Sequence, residues 1–335
     1  MNYIGSKHKL SGFITTTISS VLNDNLSDKI FCDLFAGTGA IGRNFKNKVK
    51  AVIANDFEYY SYVLNRNYIG NHRPLPEKEE YLNRLNACMP RKGFIFQNYC
   101  MGSGSERQYF SDENGMRIDA MRQQIASWKQ KGEIDEDLYF FLLASLLESA
   151  DQVANTASVY GAFLKHLKKT AQKELILKSA EFELHPEKQF VFNEDSNELI
   201  KRIEGDILYL DPPYNARQYG ANYHMLNTIA LYDRFEPKGK TGLRAYKKSR
   251  YCRRPAVASI FEDLIAHARF KYIFLSYNNE GLMSVETVRE IMERYGSYDL
   301  VKVEYTRFRA DRADRRNHKA SSTEEYVHIL QKQID

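Results

Sequence analysis

The feature that most constrains the fold is a short apolar run that ends abruptly in two prolines, within residues 206–214. Residues 207–210 predict a buried β-strand, because a run of apolar residues bounded by turn signals fits a strand that is covered on both faces. Pro212 and Pro213 have no backbone N–H group, so the strand ladder stops at Asp211. The strand therefore carries a carboxylate, carbonyl groups and an aromatic ring to the carboxyl edge of a sheet, where open α/β sheets bind ligands.

The residues that end this stretch are Asp211, Pro212, Pro213 and Tyr214. They spell Asp-Pro-Pro-Tyr, and in this the chain resembles the DNA adenine methyltransferases. The exocyclic amine of a purine is a poor nucleophile, because its lone pair is delocalised into the ring. The resemblance implies that all four residues are catalytic, with Asp211 and the Pro212 carbonyl accepting hydrogen bonds from the amine and Tyr214 stacking on the base. A turn with a capping Asp is the alternative interpretation.

A glycine-rich turn after a second apolar run is the next anchor. From residue 37 the glycines spell G-x-G-x-x-G, a spacing typical of dinucleotide-binding turns. Asp33 and Phe35 extend the pattern to D-x-F-x-G-x-G, which resembles the S-adenosylmethionine loop of methyltransferases. The resemblance implies cofactor contacts from Asp33, Phe35, Gly37 and Gly39, where glycine permits a close backbone approach. A tight strand–helix turn without a ligand remains the alternative.

Three further elements complete the predicted cofactor site. Residues 51–55 predict a second strand, and Asp56 follows it at the position of an acid that binds a ribose, although a helix cap explains it too. In the Dam-like group of adenine methyltransferases, an N-terminal element carries a lysine that contacts the carboxylate of the cofactor. Tyr3, Gly5 and Lys7 resemble that element, which implies the carboxylate contact for Lys7 and a place in the cofactor site for Tyr3; a frayed terminus is the alternative. It also places Asp195 against the amino group of the cofactor's adenine, and helix capping explains Asp195 equally well.

The order of these elements predicts two domains. Residues 1–75 and 188–335 are expected to form an S-adenosylmethionine-dependent catalytic domain, a doubly wound Rossmann-like α/β sheet, because short strands alternate with helices and end in ligand-type residues. Residues 76–187 are expected to be a helical insertion, which the resemblance identifies as a target-recognition region. We expect residues 91–187 to be mostly helical, with a buried helix over residues 138–147.

The mildly basic charge of the chain permits a polyanionic partner but does not demand one. The net charge is +5, and basic residues interleaved with tyrosines concentrate in residues 237–255, with a second basic run in residues 307–323. A solvated loop is the alternative interpretation of residues 237–255. The residues predicted to contact DNA are Arg217, Tyr219, Lys247, Arg250, Arg253, Arg312 and Arg315. His224 begins an amphipathic helix, and we predict a structural role for it instead of general-base catalysis.

Several classes of protein are disfavoured by the composition. The four cysteines are scattered without metal-ligand spacing, so we expect reduced thiols and no metal site. The N-terminus lacks the pattern of a signal peptide, and no apolar run is long enough to span a membrane. A cytoplasmic protein is therefore expected.

The motifs and their order resemble those of the Dam-like (alpha) group of DNA adenine-N6 methyltransferases, and the resemblance implies an enzyme of the restriction–modification type. The resemblance implies S-adenosylmethionine as cofactor, double-stranded DNA as substrate with the target adenine flipped out of the stack, and a cognate restriction endonuclease as a further partner. The alternatives are methylation of cytosine-N4 in DNA, of RNA or of protein glutamine, an NAD-dependent oxidoreductase built on the glycine turn, and a non-catalytic DNA-binding protein.

Overall fold

The structure is a computed structural model that describes residues 10–306 and 322–333. The described chain divides into two compact units. One, here called the sheet unit, comprises residues 10–57, 189–218, 248–306 and 322–333; the other, the helical unit, comprises residues 58–188 and 219–247. Each unit has its own hydrophobic core.

All strands of the main sheet belong to the sheet unit. In chain order they are β1 (Ile30–Asp33), β2 (Ala51–Asn55), β3 (Phe190–Phe192), β4 (Glu204–Leu210), β5 (Arg269–Asn278), β6 (Gly296–Thr306) and β7 (Ser322–Lys332). The apolar run before the two prolines is thus strand β4, as predicted. The predicted final hairpin is confirmed by β6 and β7, which pair antiparallel.

The helices are shared between the two units. In chain order they are α1 (Ser11–Val21), α2 (Ala40–Lys46), α3 (Tyr59–Asn65), α4 (Lys78–Asn86), α5 (Phe94–Tyr99), α6 (Asp112–Lys131), α7 (Glu136–Gln152), α8 (Ser196–Leu199), α9 (Tyr219–Asn222), α10 (His224–Leu231), α11 (Arg254–His267) and α12 (Val285–Glu293). Within the described ranges, none of these helices has the length and apolarity that a bilayer crossing requires.

The sheet has the strand order β3-β2-β1-β4-β5-β7-β6. Strands β1 to β5 pair in parallel, and β7 runs antiparallel between β5 and β6. The strand order reverses direction between β1 and β4, which are neighbours with Asp33 opposite Tyr209. The crevice outside the carboxyl ends of these two strands is therefore the topological switch point, where such sheets bind ligands.

Helices cover both faces of this sheet, as the predicted doubly wound α/β fold requires. On one face, Leu208 and Leu210 of β4 share a hydrophobic cluster with residues of α8, α11 and α12. On the other face, the ring of Phe31 stacks on Phe45 of α2 with centroids 4.1 Å apart, and on Tyr209 of β4 at 6.4 Å. Burial on both faces explains why β4 and β2 are continuous apolar runs without alternation.

The helical unit packs around α6 and α7. The predicted buried helix over residues 138–147 is confirmed, because it lies within α7, whose Leu142, Leu143 and Leu146 are fully buried. Asp119 of α6 is also fully buried, and its carboxylate accepts hydrogen bonds from the backbone N–H groups of Gly93, Ile95 and Phe96 at 2.8–2.9 Å. One helix thereby caps the first turn of another, α5.

The expectation of mostly helical structure over residues 91–187 holds for residues 94–152 and is wrong for residues 153–187, which form neither helix nor strand. In that segment, side chains of the preceding helices take the backbone hydrogen bonds that a helix would have made internally. The N–H groups of Leu175, Leu177, Lys178 and Ala180 donate to Asn114, Asn86, Ser149 and Ser145, respectively. An extended chain is stable here because its buried polar groups are paired.

Candidate active site

The predicted catalytic turn lies at the carboxyl end of β4, directly beside the end of β1. Pro212 is buried, whereas Asp211, Pro213 and Tyr214 are partly exposed. The carbonyl of Tyr214 accepts a hydrogen bond from the N–H group of Leu282 at 3.0 Å. The two prolines and this bond fix the turn at the switch point with the Asp211 carboxylate at the edge of the sheet.

The glycine turn links β1 to α2 in a conformation that favours glycine. Gly37 and Gly39 have φ angles of +53° and +81°, in the left-handed region. The N–H group of Gly39 donates to the carbonyl of Ala36 at 2.8 Å, and the N–H group of Ala36 donates to Asn55 at the end of β2 at 2.9 Å. The turn is therefore held both within itself and by the neighbouring strand.

Asp33 supports this turn from the interior. Its carboxylate is buried, and Oδ2 accepts a hydrogen bond from the N–H group of Gly42 at 3.0 Å. Its Oδ1 is buried and has no hydrogen-bond partner among the described residues. Burial raises the pKa of Asp33 to about 8; the Gly42 N–H opposes this rise, and the carboxylates of Asp211 and Asp56 add to it. Asp33 is therefore protonated at neutral pH.

The end of β2 is tied to the same turn. The Oδ2 atom of Asp56 accepts a hydrogen bond from the N–H group of Gly37 at 2.8 Å. Asn55, which the sequence did not single out, is buried and joins three segments. Its amide donates to the carbonyls of Leu34 and Glu194 at 3.2 Å, and its Oδ1 accepts from the N–H of Glu194 at 3.0 Å. Asn55 thus aligns the ends of β1 and β2 with the loop after β3.

Asp195, in that loop, caps helix α8, so the capping explanation is observed. Its Oδ1 accepts from the N–H group of Asn197 at 3.0 Å, and a guanidinium nitrogen of Arg250 lies 3.9 Å from the same oxygen. The buried Asn197 in turn accepts a hydrogen bond from the hydroxyl of Tyr251 at 2.9 Å. The Tyr251 ring meets Phe35 edge-on, with centroids 5.0 Å apart. Phe35 and Asp195 are therefore connected through the buried Tyr251 and Asn197.

The chain that leaves the catalytic turn is fastened to the basic segment around residue 250. Gln218 forms a pair of hydrogen bonds with the backbone of Ser249: Oε1 accepts from the N–H at 2.8 Å, and Nε2 donates to the carbonyl at 3.3 Å. The thiol of Cys252 donates to the carbonyl of Arg217 at 3.4 Å. We call this pairing of residues 217–218 with residues 249–252 the latch. It ties the backbone that carries the exposed Arg217 to the backbone that carries the exposed Arg250, and the exposed Arg253 follows directly after the latch.

The remaining predicted residues lie elsewhere. Tyr219 and Lys247 belong to the helical unit, and the Tyr219 ring stacks on Tyr223 with centroids 6.1 Å apart. Tyr3, Lys7, Arg312 and Arg315 lie outside the described residues. Among the described residues there is no group of His, Cys, Asp and Glu that could hold a metal ion.

His224 also lies in the helical unit, at the start of α10. It is fully buried, and its Nε2 lies 3.0 Å from the carbonyl of Tyr160, to which it must donate. Burial lowers the pKa of His224 to about 4. A neutral, buried histidine with a backbone partner has a structural role, as predicted.

The donor set at the sheet edge fits one kind of ligand better than another. The carboxylates of Asp56, Asp195 and Asp211 all follow the carboxyl ends of parallel strands, beside the neutral carboxyl group of Asp33 that ends β1. Such a cluster of acids disfavours a pyrophosphate, which is what the glycines of a dinucleotide-binding turn receive. It suits a ligand that carries a sulfonium charge, an amino group and a ribose. Fold and site together fit the class of methyltransferases that use a cationic methyl donor.

Comparison with known proteins agrees with this class. Residues 3–291 match the family described as D12 class N6 adenine-specific DNA methyltransferase, and the chain belongs to that family. It is therefore an adenine-specific DNA methyltransferase that acts on DNA and uses a methyl donor of the S-adenosylmethionine type. The resemblance stated from the sequence is confirmed, and the oxidoreductase and non-catalytic alternatives are excluded.

Similar proteins span the whole chain. The Type II methyltransferase M.NlaIII of Neisseria lactamica is 66% identical over 332 residues, covering 99% of each chain. M.CviAII of Paramecium bursaria Chlorella virus 1 is 39% identical over 318 residues, covering 92% of this chain and 93% of that protein. M.FokI of Planomicrobium okeanokoites is 38% identical over 351 residues, which cover 100% of this chain but 53% of that protein.

Proposed function

We propose that the protein transfers a methyl group from S-adenosylmethionine to the N6 amine of an adenine that has been flipped out of double-stranded DNA. The observation that carries the proposal is the position of the Asp211–Tyr214 turn at the switch point, beside the acid-rich edge formed by Asp33 and Asp56. Flipping is required because a stacked adenine cannot present its amine to a site within the protein.

The residues proposed to bind the cofactor are Tyr3, Lys7, Asp33, Phe35, Gly37, Gly39, Asp56 and Asp195. When bound, S-adenosylmethionine supplies an electrophilic methyl group on a sulfonium. Asp56 and Asp195 have carboxylates near the surface of this edge, suited to hydroxyl and amino groups. Asp33 is buried and holds Gly42, so it acts by shaping the glycine turn that lies against the ligand.

The catalytic turn prepares the amine. The carboxylate of Asp211 accepts one amine hydrogen and the carbonyl of Pro212 accepts the other, which turns the nitrogen lone pair away from conjugation with the ring. Pro213 keeps the turn rigid, and Tyr214 stacks on the base. Positioning supplies most of the rate. The extra proton on the methylated amine is acidic and passes to water, so no histidine is needed as a general base.

The proposed DNA-binding residues are Arg217, Tyr219, Lys247, Arg250, Arg253, Arg312 and Arg315. Arg217, Arg250 and Arg253 are exposed in the segments that the latch joins, which suits phosphate contacts close to the catalytic turn. Residues 76–187 are proposed as the target-recognition region, and they lie within the helical unit. Because the similar proteins are named Type II methyltransferases, we also propose a restriction–modification role with a cognate endonuclease.

Substitution of Asp211 tests the catalytic assignment. Asp211→Ala should lower kcat for methyl transfer to DNA by at least ~100-fold, because the amine loses a charged hydrogen-bond acceptor. Its affinity for S-adenosylmethionine, measured by calorimetry, should stay within about 3-fold of the wild type. Glu204→Gln is the matched control, since Glu204 begins the same strand and is exposed. Turnover retained in Asp211→Ala would remove Asp211 from the mechanism.

A further inference from the structure

We propose that residues 238–243, here called the basic turn, form a preorganised DNA-contacting element, and that Arg107 is the positioning residue that holds it in shape. The inference rests on the proposed DNA methyl transfer and adds to it a contact element in the helical unit. The sequence marked residues 237–255 only as a basic segment; the structure separates this turn from the rest.

The basic turn is a closed hairpin. Lys238 and Leu243 exchange two backbone hydrogen bonds at 3.0 and 2.8 Å, and the N–H group of Gly242 donates to the carbonyl of Gly239 at 3.2 Å. Gly239 and Gly242 both have φ angles of +66°, which other residues adopt at a cost. Its geometry is thus set by its own backbone before any partner binds.

Side chains from outside the turn fasten its carbonyl groups. The guanidinium of Arg107 donates to the carbonyl of Gly239 at 3.0 Å and to that of Lys240 at 3.3 Å. The hydroxyl of Tyr99 donates to the carbonyl of Gly242 at 2.8 Å. A Cβ atom at Gly242 would lie 2.8 Å from both Arg107 and Tyr99, so these side chains pack directly against the turn.

The loop that carries Arg107 is itself tightly held. A third guanidinium bond, at 3.1 Å, joins Arg107 to the carbonyl of Asn98. The hydroxyls of Ser103 and Ser105 both donate to the carbonyl of Cys100, at 2.7 and 3.0 Å. Glu106 has a φ angle of +59°, a strained conformation for a residue with a side chain. A loop that only connects two elements does not need this degree of fixation.

The charge presented by the turn comes from two lysines. Arg244, just after the turn, is largely buried, binds both oxygens of Asp233 at 3.0 and 2.9 Å, and is therefore neutralised. Lys238 and Lys240 are exposed, and neither has an ion-pair partner among the described residues. With the hydroxyl of Thr241 they present hydrogen-bond donors, which match phosphate oxygens and the acceptor edges of bases.

Preorganisation of the turn increases the affinity that these donors can contribute. An ordered turn loses little conformational freedom when it binds, so its contacts add to affinity instead of ordering the chain. Arg107 and Tyr99 hold the turn in one shape. This is explained if the ammonium groups of Lys238 and Lys240 must meet the phosphates of the substrate DNA at a fixed spacing.

The test compares Lys238→Gln/Lys240→Gln, Arg107→Ala and Arg107→Lys with the control Lys50→Gln, an exposed lysine directly before β2, at the end of that strand away from the catalytic turn. DNA binding is followed by anisotropy over a range of salt concentrations, and steady-state methyl transfer is measured in parallel. The double lysine variant should reduce the slope of log K against log salt by about 2, because each phosphate contact contributes about 1. It should raise KM for DNA about 10-fold or more, with kcat within about 2-fold.

Arg107→Ala should raise KM for DNA in the same way, and Arg107→Lys should recover part of the loss, while S-adenosylmethionine affinity stays unchanged. The inference would be overturned if the salt slope and the KM for DNA of the double lysine variant equalled those of Lys50→Gln. If the wild type binds DNA but transfers no methyl group, the proposed function fails instead. A fall in kcat and cofactor affinity together in Arg107→Ala would show a general structural role and would also overturn the positioning role.

Discussion

Replacement of Asp33 by asparagine should change how the stability of the fold depends on pH. The pKa of Asp33 is raised from 3.8 to about 8, chiefly by burial. For a carboxyl group whose pKa is raised on folding, the stabilising contribution of the protonated form is complete below pH 3.8 and is lost as the pH rises toward about 8. The wild type should therefore become less stable across this window, and Asp33→Asn should lack that part of the slope.

The magnitude follows from the number of protons involved. One group that is protonated in the folded chain and ionised in the unfolded chain lowers the unfolding free energy by about 1.4 kcal/mol for each unit by which the pH rises. Between pH of about 5 and about 7, the unfolding free energy of the wild type should fall by about 3 kcal/mol relative to Asp33→Asn. The absolute stability of Asp33→Asn does not enter this comparison of slopes; it changes for a different reason, because an amide nitrogen replaces the unpaired Oδ1.

Urea unfolding of both proteins at pH of about 5, 6 and 7 measures this difference. Subtracting the two curves removes the contribution of every other titrating group that the substitution leaves unchanged. A difference in unfolding free energy that widens with pH in favour of the variant supports a neutral, buried Asp33. Parallel curves would refute the reasoning, because they would show that Asp33 is ionised in the folded protein.

Three further predictions concern buried polar contacts. Gln218→Ala should lower kcat about 10-fold or more without changing cofactor affinity, because opening the latch loosens the exit of the catalytic turn; an unchanged kcat in steady-state assays would argue against the latch. Asn155→Ala should lower the unfolding free energy by about 3 kcal/mol in urea titrations, because three hydrogen bonds at 2.9–3.0 Å are lost: two close the loop of residues 155–168, and one goes to the carbonyl of Gln108. A loss below about 1 kcal/mol would contradict this. Burial lowers the pKa of His224 to about 4, so the folded wild type should lose stability as the pH falls from 6.5 toward 4. In thermal melts, His224→Gln should lose less stability than the wild type over that window. Equal losses in both proteins would show that His224 is not buried in its neutral form.

The framework of the sheet could be predicted from the sequence because its signals are local. The apolar run before Pro212 predicts a strand and its end, and the glycine pattern after β1 predicts the turn into α2. Parallel strands with short crossovers bring their carboxyl ends to one edge, so Asp33, Asp56 and Asp211 were expected to lie near one another. The parallel pairing of β1 with β2 and with β4 brings their ends to one edge, and the hydrogen bond from Gly37 to Asp56 joins two of these ends.

The contacts that hold the site could not be predicted, because they join residues far apart in the chain. Asn55 meets Glu194, and Gln218 meets Ser249, through amide groups that produce no periodic pattern. An asparagine at the end of a buried strand was the one available signal for Asn55. The extended chain over residues 174–181 escaped prediction for the same reason, because serine and asparagine side chains on distant helices replace its backbone partners.

Charge alone also overstated the binding surface. Arg244 belongs to the basic segment in sequence, but its guanidinium forms an ion pair with Asp233. The guanidinium carbon also lies 4.9 Å from the centroid of the Phe235 ring. Burial separates such structural cations from those that remain exposed, and burial of a single arginine in a loop leaves no trace in the local sequence.

The most direct test of the account is methyl transfer from labelled S-adenosylmethionine to unmethylated DNA, with the product nucleosides separated and identified by mass. The account predicts that the label appears in N6-methyladenine and that Asp211→Ala abolishes it. Label in N4-methylcytosine, or in RNA or protein but not in DNA, would contradict the assignment of the Asp211–Tyr214 turn to adenine in DNA.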